Sequence, residues 1–111
     1  FNVDVTTERP ASFTTRTGHA LITRDTDANS VTNPYSGVGG VGYVDVFARP
    51  DYASYRPVWI YQNNFGNVPN RIAESASHEL GHNLGLSHDG NHLQEYYPGH
   101  GHGEVAWAPI M

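Results

Sequence analysis

One run of side chains constrains this chain more than anything else in it: His78, Glu79, His82, Gly85 and His88 stand at fixed intervals within eleven residues. On a helix, residues four apart lie on the same side. The imidazoles of His78 and His82 can therefore share one tetrahedral ion at Zn–N distances of about 2.0 to 2.1 Å. Glu79 is rotated by about 100° from His78 and cannot join them as a third helical ligand in the same way. Its carboxylate falls instead beside the open position of such an ion, where it can accept a proton from water. A catalytic zinc keeps three protein ligands and one free site. His88, six residues past His82, supplies the third ligand once the chain has turned at Gly85, and glycine suits that turn because it adopts a left-handed conformation without a Cβ penalty.

The residues around this run supply the context it needs. From Asn70 onward, Ile72, Ala76, Leu80 and Leu84 recur every four positions and form an apolar stripe, with the two histidines roughly half a turn away. The helix is thus expected to have two occupied faces. Asn67 or Asn70 can cap its start, and Glu74 lies in an early turn where negative charge suits the helix dipole. Upstream, residues 1–7 alternate Phe1, Val3 and Val5 with polar neighbours, the period of a half-buried strand, and Pro10 ends the pattern. Residues 19–23, 42–48 and 58–62 read as three further strands, the last with so few polar residues that burial on both faces is expected. The Asp-, Asn-, Ser-, Pro- and Gly-rich stretch 25–40 reads as a surface loop, and 87–107 has no clean period.

Composition narrows the function. A net charge of −5 with six Lys and Arg argues against a nucleic-acid surface, which needs clustered cations. No apolar run approaches the roughly 20 residues of a membrane span. The absence of cysteine removes disulfides, thiolate zinc sites and a Cys nucleophile. The chain begins without Met or a signal segment, and it reads as a piece of a longer protein.

The run from His78 to His88, followed by Asp89, resembles the signature of the metzincin zinc metallopeptidases and is most similar to the adamalysin/reprolysin-like branch, in bacterial form. Ala108, Pro109, Ile110 and Met111 resemble the methionine turn that lies under the zinc in such enzymes, with Met111 23 positions after His88. The resemblance implies an α+β, zincin-like fold: a twisted mixed sheet of about four strands backed by the active-site helix (residues 1–86), then an irregular lower segment with the third ligand and the Met-turn (87–111). It implies one catalytic Zn2+ held by His78, His82 and His88, with Glu79 as general base in hydrolysis of protein or peptide substrates. Gly85, Asp89 and Met111 would be structural supports. Val41, Gly42 and Tyr43 would form an edge strand that pairs with extended substrate. Secretion follows from the family alone, as do a further N-terminal strand and helix and a final helix, none of which is seen in this sequence. The oligomeric state is left open.

Other residues carry weaker signals. His92, His100 and His102 form a second histidine cluster, better read as solvated loop residues than as a metal site. Asp25, Asp27 and Asn29 imitate half of an EF-hand loop, but Ser30 replaces its glycine and Ser36 its bidentate glutamate, so calcium is only a minor candidate. His19 has no partner in sequence and reads as a strand-surface residue. The pairs Tyr52/Tyr55 and Tyr96/Tyr97 are better read as packing residues than as cleft lining. Two rival functions remain at this stage: a zinc-stabilised binding or adhesion module without activity, and a His-rich metal buffer holding several ions.

Overall fold

The computed structural model describes residues 3–103 and 106–111. Its centre is the strand β3 (Val58–Tyr61), whose Val58, Ile60 and Tyr61 are fully buried. The run Val-Trp-Ile-Tyr reads as a two-face-buried strand, and it occupies the middle of a three-stranded sheet in the order β1-β3-β2. β1 (Ala20–Thr23) pairs with β3 in parallel, Ala20 opposite Val58, and β2 (Gly40–Val41) pairs antiparallel, Gly40 opposite Ile60. The sheet is therefore mixed, and β2 leaves one edge unpaired. Tyr61 closes the upstream loop onto the sheet by donating its hydroxyl hydrogen to the Pro34 carbonyl.

Two expected strands differ. Residues 3–7 belong to no strand, and Val3 and Val5 are 74% and 89% exposed; Phe1 and Asn2 lie outside the described residues. Alternation alone does not make a strand where no neighbour takes up its hydrogen bonds. The strand expected at 42–48 lies earlier, at Gly40–Val41; with none at 3–7, the sheet has three strands rather than four among the described residues. Residues 45–47 are committed elsewhere: the N–H of Asp45 binds the His82 carbonyl, and those of Val46 and Phe47 bind the Asn83 carbonyl. Asp45 and Ala48 also adopt positive φ values of 56° and 63°, which a regular strand does not accommodate.

The helix α1 (Pro69–Asn83) begins one residue earlier than expected, and neither Asn67 nor Asn70 caps it. Val68 is the cap residue without a side-chain bond, and Pro69 fills the first helical position, where its missing N–H costs nothing. Asn67 is in a left-handed conformation (φ 59°), its N–H bonded to the Gln62 carbonyl. Ile72, Ala76 and Leu80 of the expected stripe are half-buried, but Leu84 is 61% exposed. The buried residues at this end are instead Glu79, Gly81, His82 and Asn83, because the sheet-side loop and Met111 close over that face.

The buried apolar residues are Val46, Tyr52, Val58, Ile60, Tyr61 and Met111. Of these, Val46, Tyr52 and Met111 meet the end of α1, the first two through Asn83 and the third at Gly81, which fixes the helix where its histidines are.

Candidate metal centre

The end of α1 is held from three directions. Leu86 donates its N–H to the Gly81 carbonyl at 3.0 Å and Gly85 to the His82 carbonyl at 2.9 Å, with Gly85 at φ 90°. This is the paired six-to-one and five-to-two closure of a glycine-terminated helix, and it turns the chain toward His88 as expected. The 45–47 loop then satisfies the carbonyls of His82 and Asn83. Finally, the Asn83 amide, 1% exposed, donates to the Tyr43 carbonyl and accepts from the Tyr52 hydroxyl, each at 2.8 Å. Nothing in the sequence singles out Asn83, an amide that bolts the helix to two loops.

His78, His82 and His88 converge: one ligand atom from each lies within 4.8 Å of the others. Nε2 of His88 stands 3.2 Å from Nε2 of His78 and 3.1 Å from Nε2 of His82. An ion 2.0–2.1 Å from two nitrogens at the tetrahedral angle needs them about 3.3 Å apart, close to what is found for the two pairs that include His88. The opposite ring nitrogens fix the tautomers. Nδ1 of His82 faces the Leu86 carbonyl at 2.9 Å, that of His78 faces the Ile110 carbonyl, and that of His88 faces a Glu95 carboxylate oxygen at 2.9 Å. These oxygens only accept, so each Nδ1 carries the hydrogen and each Nε2 keeps its lone pair. Three lone pairs aimed at one point repel each other unless a cation lies between them. The donor set fits one metal ion.

Glu79 is 7% exposed, and a Cβ at residue 42 would stand 3.3 Å from its carboxylate oxygen Oε2. Burial raises its pKa above the ordinary carboxylate value, while the neighbouring His78 and His82 and the backbone N–H of Gly42 pull it back. The approach is possible because residue 40 in β2 and residue 42 just beyond it are glycines. A Cβ at residue 40 would stand 2.8 Å from Glu79 Cγ and 2.8 Å from Ser75 Oγ, and one at residue 42 would stand 2.7 Å from the Glu79 carbonyl oxygen. The cluster of glycines at 37–42 was the available sequence signal for this contact.

A groove of about 840 Å3 runs along this seam. Its lining includes Gly40 of β2, Ser75, His78 and Glu79 of α1, and Tyr96 and Ile110 from the downstream segment. Tyr96 is therefore a groove residue rather than packing alone, its ring centroid 4.2 Å from that of His88. Met111 is buried, and residues 108–111 reach it without forming a turn, so the tight Met-turn expected there is not described.

The remaining candidates fall elsewhere. Tyr43 is exposed and packs edge-on against Tyr55, whereas Tyr52 is core. Asp89 is exposed, and its side chain takes part in no hydrogen bond among the described residues. His100 is engaged by the Tyr97 hydroxyl at 2.9 Å and by Trp107, and His92 and His102 are exposed. Among the described residues, His78, His82 and His88 are the one group of three or more such side chains placed to share a metal. Asp27 spends a carboxylate oxygen on the N–H groups of Asn29 and Val31, which makes it a turn residue. His19 stacks on Phe13, and burial followed by Arg56 and Arg9 lowers its pKa.

A mixed sheet, a glycine-stopped helix and three converging imidazoles are the arrangement that the resemblance to zinc metallopeptidases implies. The family described as Metallo-peptidase family M12B Reprolysin-like matches residues 2–89, most of the chain including all three histidines, and the chain belongs to that family. No curated protein and no solved structure matches it.

Proposed function

We propose that this chain is the catalytic part of a zinc-dependent endopeptidase. The observation that carries the reading is the convergence of three Nε2 lone pairs beside a buried glutamate on the wall of an open groove. Family membership supports the peptidase class.

His78, His82 and His88 would hold the ion, which when bound supplies Lewis-acid polarisation of a carbonyl and lowers the pKa of water. Glu79 takes the proton from the attacking water and returns it to the leaving amine, and its burial moves its pKa toward the range a base needs near neutrality. The backbone of Gly40 and Gly42 lies close against Glu79 and leaves it little room to move. The unpaired edge at Gly40–Val41, continuing through Gly42 and Tyr43, offers backbone groups to an extended peptide. Secretion accompanies this reading as part of the proposal, on the resemblance alone.

Glu79→Gln is the decisive variant. It keeps size and hydrogen bonding but cannot take a proton, so zinc content should stay at one equivalent while peptide cleavage falls by 10^2-fold or more. Full zinc with no wild-type cleavage of a broad peptide library would instead favour an inactive zinc-stabilised module.

A further inference from the structure

The three ligands are not supported alike. His78 and His82 sit on α1, and their outer nitrogens meet backbone carbonyls, of Ile110 and Leu86. His88 lies beyond the helix, in a stretch with no regular element, and its outer nitrogen meets a side chain, the Glu95 carboxylate, at 2.9 Å. A carboxylate behind a metal-binding imidazole fixes its tautomer and orientation and strengthens it as a donor.

The chain between the two residues is shaped to bring them together. Asn91 and Gln94 pair in a tight reversal, with N–H to carbonyl bonds of 2.7 and 3.1 Å, and Asn91 Oδ1 also accepts from the N–H of Leu93 at 2.9 Å. The returning backbone crosses Gly90 so closely that a Cβ there would collide with the carbonyl oxygens of Gln94 and Glu95. The next residue, Tyr96, lays its ring against that of His88. One short loop thus places a carboxylate at the outer nitrogen of His88 and an aromatic ring on its face.

We infer that Glu95 is the positioning residue for the third metal ligand, and that the 90–96 turn exists to present it. The inference rests on the zinc reading above. It assigns Glu95 no contact with substrate: the carboxylate accepts the Nδ1 hydrogen, so that Nε2 of His88 faces the other two imidazoles with its lone pair. Glu95 is itself exposed, which makes the turn, and not burial, responsible for its placement.

The test compares zinc affinity of the full chain and its variants by competition with a chromophoric chelator, together with the thermal midpoint of each metal-free form. Glu95→Ala should bind zinc about 10- to 100-fold more weakly, with an unchanged metal-free midpoint. Glu95→Gln, whose amide oxygen still accepts the hydrogen, should recover part of that loss. Gly90→Ala should weaken zinc as Glu95→Ala does, and the cobalt(II) forms of both should show a shifted visible spectrum. Zinc affinity of Glu95→Ala within twofold of wild type overturns the assignment. Equal losses in the Ala and Gln variants also overturn it, since charge alone would then be responsible, and so does a loss matched by a drop in the metal-free midpoint. Wild-type protein that binds no zinc sinks the peptidase reading as well, whereas tight wild-type binding with an indifferent Glu95 sinks this assignment alone.

Discussion

The sulfur of Met111 occupies the space that a side chain at residue 81 would need: a Cβ on Gly81 would lie 2.8 Å from Met111 Sδ. Gly81 stands between the two helical ligands, and Met111 follows Ile110, whose carbonyl accepts from His78. The contact therefore ties the floor of the site to the helix. Gly81→Ala gains about 1 kcal/mol of helix propensity but overpacks the floor, at a cost of about 1 to 3 kcal/mol, for a net loss of about 1 kcal/mol. In a Met111→Ala background the obstruction is gone, and the same change should become stabilising. Urea unfolding of the four proteins measures the coupling, expected at about 1 to 2 kcal/mol; additive effects would show that no such contact exists.

A second close approach concerns Glu79. Because a Cβ at residue 40 would meet Glu79 Cγ, Ser75 Oγ and the Trp59 carbonyl together, Gly40→Ala must displace either the strand or the base. Misplacing a catalytic group by a fraction of an ångström to 1 Å costs up to about 10^2-fold in rate. The expected outcome is a drop in kcat/KM of tenfold or more with one equivalent of zinc retained. Steady-state peptide kinetics beside metal analysis decide it, and unchanged kcat/KM would show that the Gly40 contact does not position the base.

What the sequence made legible follows from how local each signal is. The ligand run is a helix-turn pattern within eleven residues, so the positions of His78, His82, Gly85 and His88 could be read directly, as could β3 from its unbroken apolar run. The strand at 42–48 misled because its apolar residues look like a ladder, while the N–H groups of Asp45, Val46 and Phe47 cap a helix that arrives some 40 residues later. Long-range partnerships of this kind leave no periodic trace. The same holds for Asn83, Tyr96 and Glu95, each of which acquires its place only when a loop folds back onto the end of α1.

The Tyr52 hydroxyl links the core to the helix by donating to Asn83 Oδ1, and burial raises its pKa above 10, with Arg56 opposing. A raised acid pKa in the folded state means the unfolded chain releases its proton first. The stabilisation is complete below about pH 10 and is lost as pH rises through the folded value. Tyr52→Phe should cost about 1 to 3 kcal/mol near neutrality, since Asn83 Oδ1 then loses its buried donor. It should also flatten the alkaline decline, leaving the portion due to Tyr61 and Tyr96, which burial shifts in the same direction. Denaturant midpoints followed from pH 8 to 11 test both parts, and an alkaline slope identical to wild type would exclude Tyr52 as a contributor.

Metal removal should act unevenly across the molecule. The sheet and the capped end of α1 are held by backbone bonds and by Tyr52, Asn83 and Tyr61, none of which is a ligand, whereas His88 is carried by a segment with no regular element. Stripping the ion leaves the His88 lone pair facing those of His78 and His82 at 3.2 and 3.1 Å, a repulsion most easily relieved by moving the least anchored ring. A chelator should therefore abolish peptide cleavage and lower the thermal midpoint while far-ultraviolet dichroism stays near that of the loaded protein. Amide exchange should rise across 86–111 and change little in 58–83. One equivalent of zinc should reverse all of these effects, because the sheet and helix that place two of the three ligands persist without it. Global unfolding on chelation would show instead that the ion holds the whole domain together, as in proteins where metal binding and folding are a single event.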